Sequence, residues 1–455
     1  MKFFEIINRQ RFIYLIVYFL LLLHFFGGYI SNIAILVTSL WVFYYIIFVK
    51  EWDLYLIFLL IIPTVVFSTE IVTETFSIKN VVFGNFKNVW IIGPFALSSA
   101  FMMALAIPFR LFIDFGASKH KFLTIVWLIN LALAIAGLVM AIITGEENPS
   151  GLTVGLRIAL SLGAILITKS IVDKEAFFTS LDKIILISLI LLMLGVMRAH
   201  WYFIVYGFVP YVWYRIKPKW LLLIPLIFSV YIFLNLKSST MTLLGILFIS
   251  LVFYLLLNWN ATMRKILVNK YFRILIIILP ILITVYTLSI PKSGGSYDLT
   301  TIQGRLEFKF FGDRKPLWEA SWDDIWKSSF FIKPGGGHLM VYFDFNKYWQ
   351  DWTAGSHNIF LEIGRQIGAF SMISFTFLIL AILYKAGKYV MSKNDLVLFY
   401  CFMAIYLIFG LAGQSLIYDG VGALFWLLFG QMYQLLYWED HSNISEPEPA
   451  PISKQ

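Results

Sequence analysis

The sequence predicts an all-α polytopic membrane protein with about fourteen spanning helices and one large loop carrying short helices. Three observations predict it. Hydrophobic residues make up 60% of the 455 and charged residues only 13%, with a mean hydropathy of +0.82. A water-facing domain carries roughly 25% charged residues. The apolar residues fall into successive runs of about 20, the length that crosses a hydrocarbon core. The charges fall between those runs, in short connectors. The net charge of +9 is scattered through the connectors as membrane topology requires, so no nucleic-acid partner is expected.

Taken in order, Lys2, Arg9 and Arg11 precede a first apolar run that continues to about Ile30 without a small-residue cleavage site. It is expected as an uncleaved span, not a signal peptide. Spans are expected near 12–28, 30–49, 54–70, 88–108, 122–144, 152–171, 183–198, 201–215, 219–236, 239–258, 274–290, 359–384, 396–414 and 421–437. Backbone groups in lipid need internal partners, so each run is expected as a helix. Gly27-Gly28 turns the first pair, and only Arg198-Ala199-His200 separates the seventh span from the eighth. The chain thus divides into spans 1–11 (residues 1–290), a large loop (291–357), spans 12–14 (358–437) and a tail (438–455). The Pro- and Glu-rich tail is expected to be disordered. The loop is too long for a plain connection, which favours function.

Basic residues alternate between connectors. One set carries Arg9/Arg11, Lys50, Arg110/Lys119/Lys121, Lys169/Lys174/Lys183, Arg215/Lys217/Lys219, Arg264/Lys265/Lys270/Arg273 and Lys385/Lys388/Lys393. The short connectors of the other set carry little beyond Lys79, Lys87, Arg198 and Lys237. The positive-inside rule places the first set and both termini in the cytoplasm and the large loop outside. Cys401 is the single cysteine, so no intrachain disulfide is expected.

The loop holds the densest polar and aromatic chemistry. Trp318, Trp322 and Trp326 recur at i, i+4, i+8 and predict one aromatic helix face. Such a face sits at headgroup level, or its rings stack on sugars. Arg305 and Arg314 offer planar donor forks that suit phosphate oxygens, or they are solvated charges or lipid-headgroup contacts. His357 stands between Ser356 and Asn358, just before a span. An imidazole there takes a proton from a hydroxyl near neutral pH or donates to a phosphate, although a lone histidine is more often structural. Arg157 and Arg365 lie within spans, where charges face a polar interior or snorkel outward. On a continuous helix His357 and Arg365 share a face and Glu362 does not. Arg157, Arg198, Lys237, Arg305, Arg314 and Arg365 all gather at the outer side, against the positive-inside trend. An anionic lipid-linked substrate in the outer leaflet accounts for that excess. There is no Walker-type loop, no His-Glu-x-x-His and no cysteine pair, so neither metal nor cofactor is expected.

Gly312-Asp313-Arg314-x-x-x-Trp318, the glycine turn Pro334–Gly337, Ser356-His357-Asn358-x-Phe360-Leu361 and Gly368 stand in one order. In that order they resemble the bacterial O-antigen polymerase and ligase superfamily. Lys237-Ser238-Ser239 resembles its Ser-Arg-Ser element, with lysine near the arginine position. The motifs cover about 236–375 of the sequence. The resemblance implies a GT-C-like glycosyltransferase of the bacterial inner membrane with its large loop in the periplasm. Undecaprenyl-diphosphate-linked oligosaccharide would be both donor and acceptor, membrane lipids would surround the chain, and a chain-length regulator would be a further partner. A polymerase of this kind joins repeat units with inversion and without metal. The alternatives are a ligase that transfers glycan to lipid A core and a flippase or transporter of lipid-linked glycan. On this reading His357 and Arg314 are catalytic, with Glu362 a second candidate base. Arg157, Arg198, Lys237, Arg305, Trp318, Asn358 and Arg365 would bind substrate.

Overall fold

The computed structural model describes residues 9–442 except 24–27, 67–89, 93–94, 118–119, 145–153, 168–170, 172, 195–196, 198–200, 216–238, 291–297, 299, 335–338, 344–347, 353–354, 391, 414 and 418. The first helices are α1 (Arg9–Leu23), α2 (Gly28–Phe48) and α3 (Leu54–Val66). A short antiparallel hairpin follows, β1 (Trp90–Ile92) with β2 (Phe95–Leu97), in register Ile91 opposite Ala96. It replaces the first part of the span expected at 88–108. Helix α4 (Ser99–Asp114) begins only after Ser98, whose hydroxyl accepts from Phe101 N at 3.1 Å. The correction has a local cause: Gly93-Pro94 is a turn signal inside the apolar run, and Ser98 is a preferred N-cap.

Next come α5 (Lys121–Thr144), α6 (Val154–Gly163), α7 (Lys174–Met193), α8 (Phe203–Arg215), α9 (Ser239–Trp259), α10 (Ala261–Val268) and α11 (Lys270–Ser289). The expected span at 219–236 lies outside the described residues. The large loop folds into α12 (Ile302–Glu307), a π-helical turn (Phe308–Arg314), α13 (Lys315–Lys327) and an antiparallel hairpin, β3 (Leu339–Phe343) with β4 (Tyr348–Trp352). The chain ends its described course with α14 (Ile359–Ile367), α15 (Ala369–Tyr389), α16 (Lys393–Ala412) and α17 (Asp419–Ser442), which runs five residues beyond the expected boundary at 437.

Among the described residues five helices, α5, α7, α11, α15 and α16, are long and apolar enough to cross a membrane, and the chain is a multi-pass membrane protein. Their burial differs in a way that orders the bundle. The apolar window of α16 is 89% buried, against 28% for α11. A helix apolar all round and buried all round is a central element, so α16 is the core post and α11 lies at the perimeter. The outward face of α5 carries Phe122, Ile125, Ile129, Ile135, Val139 and Ile142, all exposed at helical spacing. In water that stripe would be a large apolar patch, and in hydrocarbon it is the expected surface.

Polar contacts tie helix ends that the basic alternation puts on one side. Lys174 at the start of α7 pairs with Asp395 at the start of α16, 2.9 Å apart. Arg215 at the end of α8 reaches Asp182 at 3.1 Å and Glu175 at 2.9 Å. Arg110 near the end of α4 donates to Val49 O beyond α2 at 2.6 Å. Asp53 caps α3 and accepts from Tyr14 and Ser180.

The span expected at 359–384 is broken. Gly368 adopts φ +134, a conformation L side chains rarely take, and separates α14 from α15. The returning loop segment docks on that break: Lys333 N donates to Ile367 O at 3.1 Å, and Phe370 N donates to Phe330 O at 3.0 Å.

Candidate functional site

Asn358 is the N-cap of α14. Its Oδ1 accepts from Phe360 N at 3.0 Å and Leu361 N at 3.2 Å, and its Nδ2 donates to Thr284 Oγ1 on α11 at 2.8 Å. One side chain therefore ends a helix and fixes it to a neighbour. Ser356 closes the turn: its hydroxyl donates to Asn358 O at 2.9 Å, while its N–H donates to Glu362 Oε2 at 2.7 Å. His357 is held between these two anchors with φ +55, the sole non-glycine positive φ among the described residues. A left-handed conformation costs a non-glycine residue about 1–3 kcal/mol, and such residues cluster at functional sites. His357 is half-buried. It precedes the helix and does not lie on it, which corrects the expectation that it shares a helical face with Arg365.

Glu362 is fully buried and its carboxylate is saturated. Oε1 accepts from Arg365 Nη2 at 2.8 Å and Gln366 Nε2 at 2.7 Å, while Oε2 accepts from Arg365 Nε at 3.2 Å and Ser356 N. Four donors leave no lone pair facing an acceptor hydroxyl, so Glu362 positions the Ser356–His357 turn and does not fit the role of base expected of it. Arg365 is buried too and forks onto Glu362, so it neither snorkels outward nor presents a free guanidinium.

Arg314 ends the π-helical turn, the kind of helix irregularity that marks functional sites. It is buried, its Nη2 donates to Ala412 O at the end of α16 at 3.3 Å, and its Nη1 lies 3.7 Å from Asp313. Burial pulls its pKa below the ordinary arginine value, partly opposed by the Asp313 charge. Its Nε is buried with no acceptor among the described residues, and so is Nε1 of Trp318, four residues on. Trp318 is wholly buried with Leu317, Ile325, Leu361 and Leu411. This corrects its expected role as a stacking platform. An α-helix advances by roughly 40° beyond a full turn every four residues, so the tryptophan stripe drifts. Trp318 faces the core, while Trp322 and Trp326 are exposed with ring centroids 5.4 Å apart.

Arg157 lies on α6, half-buried, with its guanidinium carbon 5.6 Å from the Phe101 ring centroid and its Nε without an acceptor among the described residues. Gly155 brings α6 against α14: a Cβ there would lie 2.9 Å from Gln366 O. Arg198 and Lys237 lie outside the described residues, and Arg305 is placed only as a residue of α12.

Two charged groups escaped the sequence reading. Lys333 is buried, donates to Asp324 O at 3.1 Å and pairs with Asp324 Oδ2 at 2.5 Å. Burial holds its pKa below the ordinary lysine value; Asp324 opposes that shift, and the nearby Arg365 charge adds to it. The available signal was Lys333-Pro334 just before a glycine triplet, which marks a fixed turn without naming the lysine's partner. Beside the Asn358 cap lies a mostly apolar cavity of about 480 Å³, lined by Thr284, Leu288, Trp322, Phe360, Leu361 and Met372. No group of three or more His, Cys, Asp or Glu side chains is placed to hold a metal ion among the described residues.

The site thus joins a strained histidine turn, a buried arginine and tryptophan with open donors, and an apolar cavity, where α11, α13, α14 and α16 converge. Comparison with protein-family models, curated proteins and solved structures finds no match for this chain.

Proposed function

We propose that this chain is a membrane-embedded glycosyltransferase that joins undecaprenyl-diphosphate-linked oligosaccharide repeat units, an O-antigen polymerase of the bacterial inner membrane. In this reading it has about fourteen spans, cytoplasmic termini and a periplasmic large loop. The observation that carries it is the pair of buried donors without acceptors among the described residues, Arg314 Nε and Trp318 Nε1, of which Trp318 packs in one cluster with Leu361 beside the Asn358 cap. Buried donors aimed at no protein acceptor suit an anionic oxygen, and a permanently charged guanidinium suits a diphosphate best. The apolar cavity at Thr284 and Leu361 suits the hydrocarbon part of the same amphiphile.

The chemistry follows from these groups. The acceptor hydroxyl attacks the anomeric carbon of the donor sugar from the face opposite the diphosphate. His357 takes the hydroxyl proton, the carbon–oxygen bond to the diphosphate breaks, and undecaprenyl diphosphate leaves with the bonding pair. Arg314 stabilises the charge that grows on the leaving oxygen. Glu362 holds the turn that aims His357, and exposed Trp322 and Trp326 offer ring faces to sugars.

The test is the lipopolysaccharide banding pattern of a deletion strain complemented with the wild type, His357→Ala or Arg314→Gln. A single-repeat band without a ladder, restored by wild type and by neither variant, supports the polymerase. Lipid-linked polymer that accumulates without capped lipopolysaccharide would make the chain a ligase. An unchanged ladder on deletion would remove both.

A further inference from the structure

A polar cavity lies toward the other end of α11 from the His357 turn. Helix α11 has its C-terminal third at the site, through Thr284, and its N-terminus at this cavity, through Asn269. Fifteen residues of α-helix separate Asn269 from Thr284, about 22 Å, most of a hydrocarbon core about 30 Å thick, so the two lie toward opposite sides of the bundle. The cavity measures about 630 Å³ and is lined by Asn258, Asn260, Arg264, Lys265, Asn269 and Lys393 among others. No Asp or Glu is among the described residues that line it. Asp395, the acid two residues beyond Lys393, is committed to Lys174 at 2.9 Å and to Ser392 N at 3.2 Å.

The walls are fixed. Asn260 caps α10 by accepting from Met263 N at 2.8 Å, and Asn269 caps α11 by accepting from Tyr271 N at 2.8 Å. Leu267 on α10 is buried, and its carbonyl accepts from Tyr400 on the central helix α16 at 2.5 Å. That bond ties α10 to the centre of the bundle, with Arg264 and Lys265 at the cavity. Two aromatic residues flank it at the helix ends, Trp259 at 76% exposure and Tyr271 at 68%. Exposed Trp and Tyr at helix ends mark the headgroup level of a bilayer. The cavity is thus cationic, free of acids among its described walls, rigid, and set where phosphates lie.

We propose that the cavity formed by α9, α10 and the start of α16 binds the phosphate of an anionic phospholipid headgroup, with Arg264, Lys265 and Lys393 as its cationic ligands. Side-chain amides of Asn258, Asn260 and Asn269 line the same space and offer neutral donors. The site is independent of the proposed glycosyl transfer, and an inactive His357→Ala chain would bind the headgroup equally.

The experiment is native mass spectrometry of the full-length chain in detergent, titrated with phosphatidylglycerol or phosphatidylcholine. The wild type is expected to prefer phosphatidylglycerol. Arg264→Gln/Lys265→Gln should lower that affinity about thirtyfold and Lys393→Gln about fivefold. A control, Lys121→Gln/Lys388→Gln, removes two charges elsewhere on the same side and should stay within about twofold. Melting curves show whether each variant folds; if the double variant does not, Lys393→Gln decides from a different helix. Equal wild-type affinity for the two lipids, or an equal loss in the control, would overturn the site. Displacement of the lipid by millimolar inorganic phosphate, with phosphate retained on the chain, would assign the cavity to a free anion and overturn the lipid assignment.

Discussion

Arg365 forks onto Glu362: Nη2 lies 2.8 Å from Oε1 and Nε 3.2 Å from Oε2, one turn apart on α14, with both side chains buried. Removing one partner leaves the other charge buried and unpaired, which costs about 3–5 kcal/mol. Glu362→Ala and Arg365→Ala should therefore each melt well below wild type in detergent. Glu362→Gln keeps an acceptor for Ser356 N and should lose less. A wild-type melt for Glu362→Ala would contradict the pairing.

Two glycines, one on α5 and one at the break between α14 and α15, grip one loop segment. A Cβ on Gly137 of α5 would lie 2.3 Å from Lys333 O, and one on Gly368 would lie 3.0 Å from Phe331 O at φ +134. Each Gly→Ala change should destabilise by about 1–3 kcal/mol. Both displace the same segment, so the double variant should lose less than the sum, with a coupling of at least about 0.5 kcal/mol. Chemical denaturation of the four proteins measures it, and strict additivity would mean the segment is not shared.

The His357 turn separates stability from chemistry. His357→Gly relieves the left-handed strain while adding glycine's entropy, so its stability should stay within about 1 kcal/mol of wild type. Under the proposed function it should nonetheless abolish the ladder. Asn358→Ala removes a cap and the Thr284 bond, and should cost about 2 kcal/mol. Thermal melts read alongside banding gels distinguish the two effects.

Lys333 makes stability depend on pH in a known direction. Burial lowers its folded pKa below the unfolded value, so between the two values the unfolded chain binds more protons. Stability from this group is therefore present above the unfolded pKa, near 10.4, and is lost as pH falls through the lowered folded value. Raising pH toward about 10 should stabilise wild type relative to Lys333→Met. The difference between their melting temperatures at two pH values isolates the lysine, and a difference that does not move with pH would mean an unshifted group.

Trp318 buries an indole N–H that has no acceptor among the described residues. Trp318→Phe removes that unsatisfied donor, which offsets part of the lost ring area. The variant should stay within about 2 kcal/mol of wild type. If the N–H contacts substrate, polymer formation should fall much further than this stability change explains. Equal losses in both would make the residue structural alone.

Much of the helical course was legible from hydropathy, because a run of apolar residues is a local property. The run at Lys121–Thr144 lies where the sequence predicts it, and Asn260 and Asn269 stand at helix starts as their residue type favours. Where an apolar run held a local breaker, averaging hid it. A hairpin, Trp90–Ile92 with Phe95–Leu97, stands where a span start is predicted, and Gly368 split the predicted span at 359–384. A single glycine barely alters a window mean, yet it decides whether a docking loop segment can enter.

The sequence by itself determined the membrane class, the alternation of basic ends and the candidate residues His357, Arg314 and Asn358, because composition, period and capping act between near neighbours. Only the tertiary structure decided which charges stand open and which are spent. Packing buries Glu362 and Arg365 so that they are committed to each other, Lys333 meets Asp324 nine residues away, and Arg314 reaches Ala412 across almost a hundred positions. Trp318 turns inward while Trp322 and Trp326 stay out. The physical reason is that burial and ion pairing depend on which helices pack together, and no spacing along one chain encodes the distance between two of them.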